Sequence, residues 1–365
     1  MASYSVEDIE SILEESLTRT SKRTKAEIKP EPIPEPVVKV VEVETTEWED
    51  TPWDGVEVRT VASQEVFGDQ VPNVPLKQYR GFTPSVCRLE VPTVPAVYHP
   101  NVEALSGLIL SSTTGLKPIL YGHTGTGKTS LYEYFAAMLG RPFTRVVFDA
   151  TTDDQKLFGS LEVRSVEGAS ETYFNKSDLS YSMDFPTVVC MDEFSRANAE
   201  QTMLVNPVLD RRQITVTSHD DEKSSTIIAH EDWFVGGTDN TNGTGDDMDL
   251  YNSSNVLDEA IRNRFDIWAV VPYSPEKVER DIIKELSPDM DEDTVKKLAH
   301  FSALCHKGYG DRKLRTAFSV RNLIAICALW ERGIKVQDGI GMNFSKRVAE
   351  SEGADIAEMV RSIWG

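Results

Sequence analysis

The apolar positions between residues 61 and 274 fall into short runs that are separated by stretches with helical spacing. This alternation is typical of a parallel β-sheet whose strands are joined by crossover helices. Five runs have the length and composition of buried strands: Lys117–Gly122, Phe143–Asp149, Thr187–Glu193, Asp232–Thr238 and Phe265–Val271. Helical spacing lies between them, most clearly at Thr129–Leu139 and Ala199–Asp210. The pattern predicts an α/β core over residues 61–274.

From residue 275 onward the strand pattern is absent and apolar residues recur at helical spacing. Four predicted helices cover Pro275–Leu286, Asp291–His306, Ser319–Gly333 and Ser351–Trp364. Residues 275–365 are therefore predicted to form a small helical domain that follows the core.

Residues 1–60 have a different composition, with 7 basic and 15 acidic residues. Apolar residues between Ser5 and Leu17 fall on one helical face, and Lys29–Pro36 has a proline at every second position, which favours an extended spacer. We predict a flexible arm that carries one short amphipathic helix. That helix either packs on its own domain or docks into a partner groove.

The overall charge is strongly acidic, with 38 Lys+Arg against 59 Asp+Glu and a net charge of −21. Such a surface repels phosphate backbones, so binding to nucleic acid or to an anionic membrane is not expected. The acidic N-terminus lacks the apolar segment of a signal peptide, and the longest apolar run, Leu323–Trp330, is too short to span a bilayer. The four cysteines are widely spaced, without a zinc pattern. We therefore expect a cytoplasmic protein with reduced thiols.

The segment Gly122–Thr129 fits the phosphate-loop pattern G-x-x-x-x-G-K-[ST] at every fixed position. A predicted strand enters it and a predicted helix leaves it, as the pattern requires. Glycines allow backbone N–H groups to approach phosphate, Lys128 is suited to the β- and γ-phosphates, and the Thr129 hydroxyl is suited to Mg²⁺. The predicted nucleotide contacts are Gly122, Thr124, Gly125, Thr126, Gly127, Lys128, Thr129 and Ser130.

An apolar strand, Thr187–Glu193, ends in two acids. The carboxyl ends of parallel strands border the ligand crevice of an open α/β sheet. Asp192 is therefore predicted to hold Mg²⁺ together with Thr129, and Glu193 to polarise the attacking water.

Three further polar residues have positions that suit ATP hydrolysis. Asn240 follows the strand at Asp232–Thr238 and can orient a water or the γ-phosphate. Arg264, with Arg262 as the other candidate, precedes the last strand and can stabilise charge on a neighbouring subunit's nucleotide. Arg321, in the helical domain, can reach the phosphates.

The order of these motifs resembles that of AAA+ ATPases. The segment Asp192–Val216 looks like the MoxR-type branch, and Thr238–Phe265 is similar to the cobaltochelatase ATPase subunit. The resemblance covers residues 61–365. It implies a P-loop AAA+ parallel sheet with flanking helices, inserted β-hairpins and a C-terminal helical lid.

The resemblance also implies roles for residues. Gly122, Gly127, Lys128 and Thr129 would form the Walker A contacts and Asp192 with Glu193 the Walker B pair, while Asn240 would be sensor 1, Arg264 the trans-acting finger and Arg321 sensor 2.

The same resemblance implies partner proteins and two inserted hairpins. Family members form rings, commonly hexamers, and often act with a partner that has a von Willebrand A domain. The two hairpins would be Gly159–Asn175 and Arg211–His230. In the first, Tyr173 and Phe174 either grip a client protein or are ordinary strand-face aromatics.

The leading hypothesis is thus an ATP-hydrolysing ring of MoxR type that uses ATP and Mg²⁺ to remodel or activate a protein partner, as a cobaltochelatase-like motor subunit would. The alternative is a nucleotide-gated scaffold with little hydrolysis of its own.

Overall fold

A computed structural model describes residues 43–149, 151–166, 169–217, 224–243 and 257–365. The predicted N-terminal helix and its proline-rich spacer lie outside these residues. None of the helices in these residues combines the length and the apolar composition that a membrane span requires.

The described residues contain twelve strands: β1 Glu49–Asp50, β2 Glu57–Ala62, β3 Pro75–Arg80, β4 Pro118–Tyr121, β5 Phe143–Val147, β6 Gly159–Val166, β7 Ala169–Lys176, β8 Val188–Asp192, β9 Gln213–Thr217, β10 Ser224–Ile228, β11 Phe234–Asp239 and β12 Ile267–Val270.

The α-helices of the same residues are α1 Ser63–Phe67, α2 Val102–Thr114, α3 Lys128–Met138, α4 Asp154–Phe158, α5 Asp178–Ser182, α6 Ala199–Arg211, α7 Glu259–Arg262, α8 Glu276–Leu286, α9 Glu292–Gly310, α10 Val320–Trp330, α11 Val336–Asn343 and α12 Glu350–Trp364. Two 3₁₀ turns cover Phe194–Arg196 and Ser345–Arg347.

The central sheet has five parallel strands in the order β12-β4-β11-β8-β5, so all five predicted core strands are confirmed. Strands β8 and β11 are buried along their whole length. Fully buried strands read as continuous apolar runs, which is why the sequence reveals them. The polar residues that end these strands therefore lie together at one edge of the sheet.

Helices cover both faces of this sheet. The side chains of β8 alternate between two cores: Val188 and Cys190 pack with residues of α2 and α3, whereas Val189 and Met191 pack with residues of α6. A reciprocal pair of hydrogen bonds between Asn198 and Gln201 caps the start of α6. The predicted α/β class is confirmed.

A three-stranded antiparallel sheet, in the order β1-β2-β3, precedes the core. Val61 of β2 and Leu76 of β3 are buried in the same apolar cluster as α2 and α3. The boundary predicted at residue 60 falls inside β2, so residues 57–60 pair with β3.

The two predicted insertions are antiparallel hairpins. Strands β6 and β7 pair from Gly159↔Lys176 to Val166↔Ala169, and β9 pairs with β10. In the first hairpin Leu161 lies opposite Phe174, while Tyr173 lies opposite Glu162 and donates a 2.9 Å hydrogen bond to it. Of the two aromatics, Phe174 therefore shares the apolar face.

Helices α8–α12 form the C-terminal region, hereafter the lid. They enclose a hydrophobic core of their own, which includes Ile283, Leu298, Phe301 and Leu323. The four predicted helices are present, and α11 is an additional one.

Candidate nucleotide-binding site

The phosphate loop joins the end of β4 at Tyr121 to the start of α3 at Lys128. Gly127 caps the helix in a left-handed conformation, with a φ of 88°, which glycine adopts without strain. A Cβ atom at Gly125 would lie 2.6 Å from the Cβ of Ser319 in the lid. The loop therefore requires glycine at position 125 because the lid rests directly against it.

The remaining predicted loop contacts have local roles. The Thr126 hydroxyl donates to the carbonyl oxygen of His123 at 3.0 Å, and the Thr124 carbonyl accepts from the hydroxyl of Tyr273 at 3.3 Å. Ser130 is half-buried in the first turn of α3. Backbone carbonyls of the loop are thus bonded by one side chain of the loop and by Tyr273 from outside it.

Lys128 is buried beneath this loop. Its Nζ donates to the carbonyl oxygens of Gly122 at 2.7 Å and His123 at 2.9 Å, and to Oδ1 of Asn240 at 3.0 Å. Burial lowers the pKa of Lys128 to about 8, and nearby carboxylates, of which Asp239 acts most strongly, oppose that shift. The structure therefore brings together two residues predicted from distant motifs.

Thr129 and Asp192 also meet as the sequence predicts. The Thr129 hydroxyl donates to Oδ1 of Asp192 at 2.7 Å, and that oxygen also accepts from Thr238 at 2.5 Å. Arg145 forms an ion pair with the other carboxylate oxygen. A hydroxyl and a carboxylate in contact are the oxygen donors that Mg²⁺ prefers, so the pair fits this cation.

Glu193 has a left-handed backbone conformation, with a φ of 53°, at the junction of β8 and the first 3₁₀ turn. Its N–H donates to the hydroxyl of Thr238 at 3.0 Å, and its carboxylate pairs with Arg196 at 2.7 Å. Such backbone strain in a non-glycine residue is typical of functional sites. The chain therefore leaves the direction of β8 at Glu193 and enters the 3₁₀ turn Phe194–Arg196.

Asp239 is a third acid at this edge, which the sequence reasoning missed. It is fully buried, and its Oδ1 accepts from the hydroxyl of Ser195 at 2.5 Å and from the N–H of Asn240 at 2.8 Å. Oδ2 accepts from the hydroxyl of Thr241 at 2.9 Å. Asp239 thereby fixes the turn that follows Glu193 and the backbone at Asn240. Burial raises its pKa.

We expect Asp239→Asn to lower the free energy of unfolding by about 1–3 kcal/mol, because an amide NH₂ cannot accept the bonds made by a carboxylate oxygen and leaves a buried group unpaired. Urea unfolding measures the effect. The control is Asp178→Asn, which breaks an exposed ion pair with Arg88 worth about 0–1 kcal/mol. A change below about 0.5 kcal/mol in Asp239→Asn, the range of ordinary surface substitutions, would contradict this role.

A cleft of about 510 Å³ lies beside the contact of Gly125 with Ser319, between the phosphate loop and the lid. On the core side it is lined by Thr124, Gly125, Glu193, Arg196 and Asn240. On the lid side it is lined by Tyr309, Arg315, Thr316, Ala317, Ser319, Arg321, Asn322, Asn343 and Arg347. The predicted lid residue Arg321 thus shares one cleft with the predicted loop, Glu193 and Asn240.

The two candidate finger arginines lie elsewhere and do not line this cleft. Arg264 forms an ion pair with Asp210 at the end of α6, and its side chain is 25% exposed. The guanidinium of Arg262 lies over the ring of Trp268, 5.8 Å from its centre. The structure therefore does not bring either arginine to the cleft of its own chain.

Some of the missed residues left a signal in the sequence. Arg145 is a charged residue inside strand β5, and Asp239 ends strand β11 beside Asn240. Arg315 and Arg347 left none, because they reach the cleft only through the packing of the lid.

Comparison with known proteins agrees with this geometry. Residues 117–265 match the family model of the AAA domain (dynein-related subfamily). The chain is 24% identical over 284 residues to the aerobic cobaltochelatase subunit CobS of Sinorhizobium sp, covering 75% of this chain and 83% of that protein. It is 27% identical over 214 residues to an uncharacterized protein of Staphylococcus aureus, covering 58% of this chain and 76% of that protein.

Among solved structures, the RuvB Holliday junction branch migration motor of Thermotoga maritima aligns with a TM-score of 0.40 at 15% identity, over 66% of this chain and 67% of that chain. The family match spans the sheet from the start of β4 to the residues just before β12. Residues 117–265 are therefore similar to AAA domains, and the chain resembles a cobaltochelatase subunit over a longer stretch.

Proposed function

We propose that this protein binds ATP with Mg²⁺ in the cleft between loop and lid and hydrolyses it. The observation that carries the proposal is the convergence of Lys128, Thr129, Asp192, Glu193 and Asn240 at the carboxyl edge of one parallel sheet. Ligands of open α/β sheets bind at this edge. Release of inorganic phosphate from Mg-ATP by the purified chain is the direct test.

Each residue has a distinct part in the proposed reaction. The loop backbone and Lys128 bind the phosphates, and Thr129 with Asp192 would hold Mg²⁺. The cation, when bound, neutralises charge that develops on the phosphate oxygens. Glu193 accepts a hydrogen bond from the attacking water and orients it, while Asn240, already bonded to Lys128, orients the terminal phosphate.

We propose further that the active form is a ring in which Arg264 acts on the nucleotide of the adjacent copy. The support is geometric: Arg264 lies outside its own cleft and is partly exposed, and among the described residues its guanidinium pairs only with Asp210. An arginine that reaches a neighbour's nucleotide stabilises the charge of the transition state. The site would then be complete only between two copies.

Mixing two inactive variants tests this arrangement. Arg264→Ala should bind ATP normally but hydrolyse it about 10³–10⁵-fold more slowly, as expected for loss of an arginine finger. Lys128→Ala should lose binding. A mixture should recover hydrolysis, because a Lys128→Ala copy supplies the intact Arg264 to a neighbour whose own loop is intact. Steady-state phosphate release measures the recovery.

The control is the equivalent mixture with Arg262→Ala, since Arg262 is the other candidate. Recovery with Arg262→Ala, together with normal hydrolysis by Arg264→Ala alone, would move the role to Arg262. Failure of every mixture, with Arg264→Ala inactive alone, would show that Arg264 acts within its own chain.

For the output of hydrolysis we propose the remodelling of a protein partner, in the manner of a MoxR-type, cobaltochelatase-like motor. The likeness to a cobaltochelatase subunit supports this, as does the exposed apolar face of the β6–β7 hairpin, on which Val163 is 68% exposed and Leu161 lies opposite Phe174. A partner with a von Willebrand A domain is the expected class. ATP-dependent co-purification with Glu193→Gln, compared with Val163→Asp in the same background, tests it.

A further inference from the structure

The lid presents three arginines to the cleft, and sequence reasoning identified only one of them. Arg315 lies in the segment between α9 and α10, Arg321 in the first turn of α10, and Arg347 at the end of the second 3₁₀ turn. All three are exposed within the cleft. Three separate segments of the lid therefore each contribute one arginine to the same cleft.

None of these three guanidinium groups has a hydrogen bond or an ion pair within the described part of the chain. The N–H of Arg315 donates to Glu352, but its side chain does not. Arg321 is within electrostatic reach of Glu133 without pairing with it. This is unusual for a protein of net charge −21, in which carboxylates are plentiful.

The other charged groups of the cleft do not neutralise the positive charge of these three arginines. Glu193 is the one carboxylate among the residues that line it, and it is already paired with Arg196. Ser319, at the N-terminal end of α10, also lines the cleft, and the first turn of an α-helix carries partial positive charge. The lid wall is therefore a strongly cationic surface that an anion would complement.

Hydrogen bonds join the segments that carry Arg315 and Arg321 to other helices of the lid. Glu352 of α12 accepts from the N–H of Arg315 and, at 3.0 Å, from the hydroxyl of Thr316. Asn322 of α10 donates to Asn343 at the end of α11 at 2.7 Å. Because these bonds hold the segments of Arg315 and Arg321 in place, less ordering of those segments remains when an anion binds.

We propose that Arg315 and Arg347 join Arg321 as contacts to the terminal phosphate of a bound nucleoside triphosphate, so that the lid distinguishes a triphosphate from a diphosphate. This inference rests on the proposed ATP binding. The terminal phosphate is the anion in question because Glu193 and Asn240, which would orient the water and that phosphate, line the opposite wall of the same cleft. Guanidinium forks match phosphate oxygens in geometry and charge.

Calorimetric titration of the full chain with ATPγS and with ADP, both with Mg²⁺, tests the inference. Arg315→Ala and Arg347→Ala should each weaken ATPγS binding by about 10- to 100-fold, the effect of losing a charged hydrogen bond, and leave ADP binding within about twofold. Lys346→Ala is the matched control, since this exposed cation adjoins Arg347 but does not line the cleft. It should leave both affinities unchanged.

Two results would overturn the inference: equal losses for ATPγS and ADP, or no loss for either. Inorganic phosphate serves as a third probe. If Arg347→Ala removes binding of free phosphate while ATPγS binding is unchanged, the arginines serve a separate anion and the inference fails. If the wild-type chain binds neither nucleotide, the proposed function itself fails, a result distinct from the others. Arg347→Gln provides a second variant should alanine disturb the turn.

Discussion

Replacement of Lys128 by alanine is expected to abolish measurable ATP binding. Nζ of Lys128 lies beneath the phosphate loop and already bonds to two loop carbonyls and to Asn240, so its charge is held at the loop that would bind the phosphates. Each charged hydrogen bond is worth about 1.5–3 kcal/mol, so the loss of contacts to two phosphates corresponds to at least about a hundredfold in affinity. Calorimetric titration with Mg-ATPγS measures it.

The control for Lys128→Ala is Lys117→Ala. Lys117 precedes β4 and pairs with Asp266, so its removal changes the net charge equally at the opposite end of the same strand. Thermal unfolding establishes that both variants fold. Binding of ATPγS by Lys128→Ala within about threefold of wild type, that is within about 0.7 kcal/mol, would show that the loop does not hold the phosphates.

Replacement of Glu193 by glutamine should separate binding from hydrolysis. The amide keeps the size of the side chain but cannot act as a base towards the attacking water, so the rate of hydrolysis should fall by about 10²–10⁴-fold. ATP affinity should be preserved, because the loop contacts are made by other residues. Single-turnover hydrolysis and equilibrium binding, measured on the same preparation, provide both quantities.

Glu200→Gln is the matched control for Glu193→Gln, because Glu200 is an exposed acid in the first turn of α6 and lines no part of the cleft. It should hydrolyse ATP at the wild-type rate. Wild-type hydrolysis by Glu193→Gln would instead show that Glu193 does not orient the attacking water.

The phosphate loop and the five core strands could be predicted because their signals are local. A loop of fixed spacing between an apolar strand and a helix has few other interpretations, and buried strands are recognisable by composition. The acids that end β8 follow from the same pattern. These features of Gly122–Thr129 and Asp192–Glu193 are contained in single short segments of sequence.

The remainder depends on contacts between distant segments, which a sequence pattern does not encode. The pairing of β2 with β3, the ion pair of Arg264 with Asp210 and the arrival of Arg347 at the cleft all result from tertiary packing. Sequence reasoning therefore predicted most residues of the core wall but not Arg196, and of the lid wall's cations it predicted only Arg321.

The contact between Gly125 and Ser319 has a consequence for how the molecule could be engineered. A methyl group at position 125 would overlap Ser319, so alanine there would push the lid away from the phosphate loop. Because Gly125 has a φ of 81°, alanine there would also strain the phosphate loop itself. The close approach of the phosphate loop to the lid therefore depends on the absence of a side chain at Gly125.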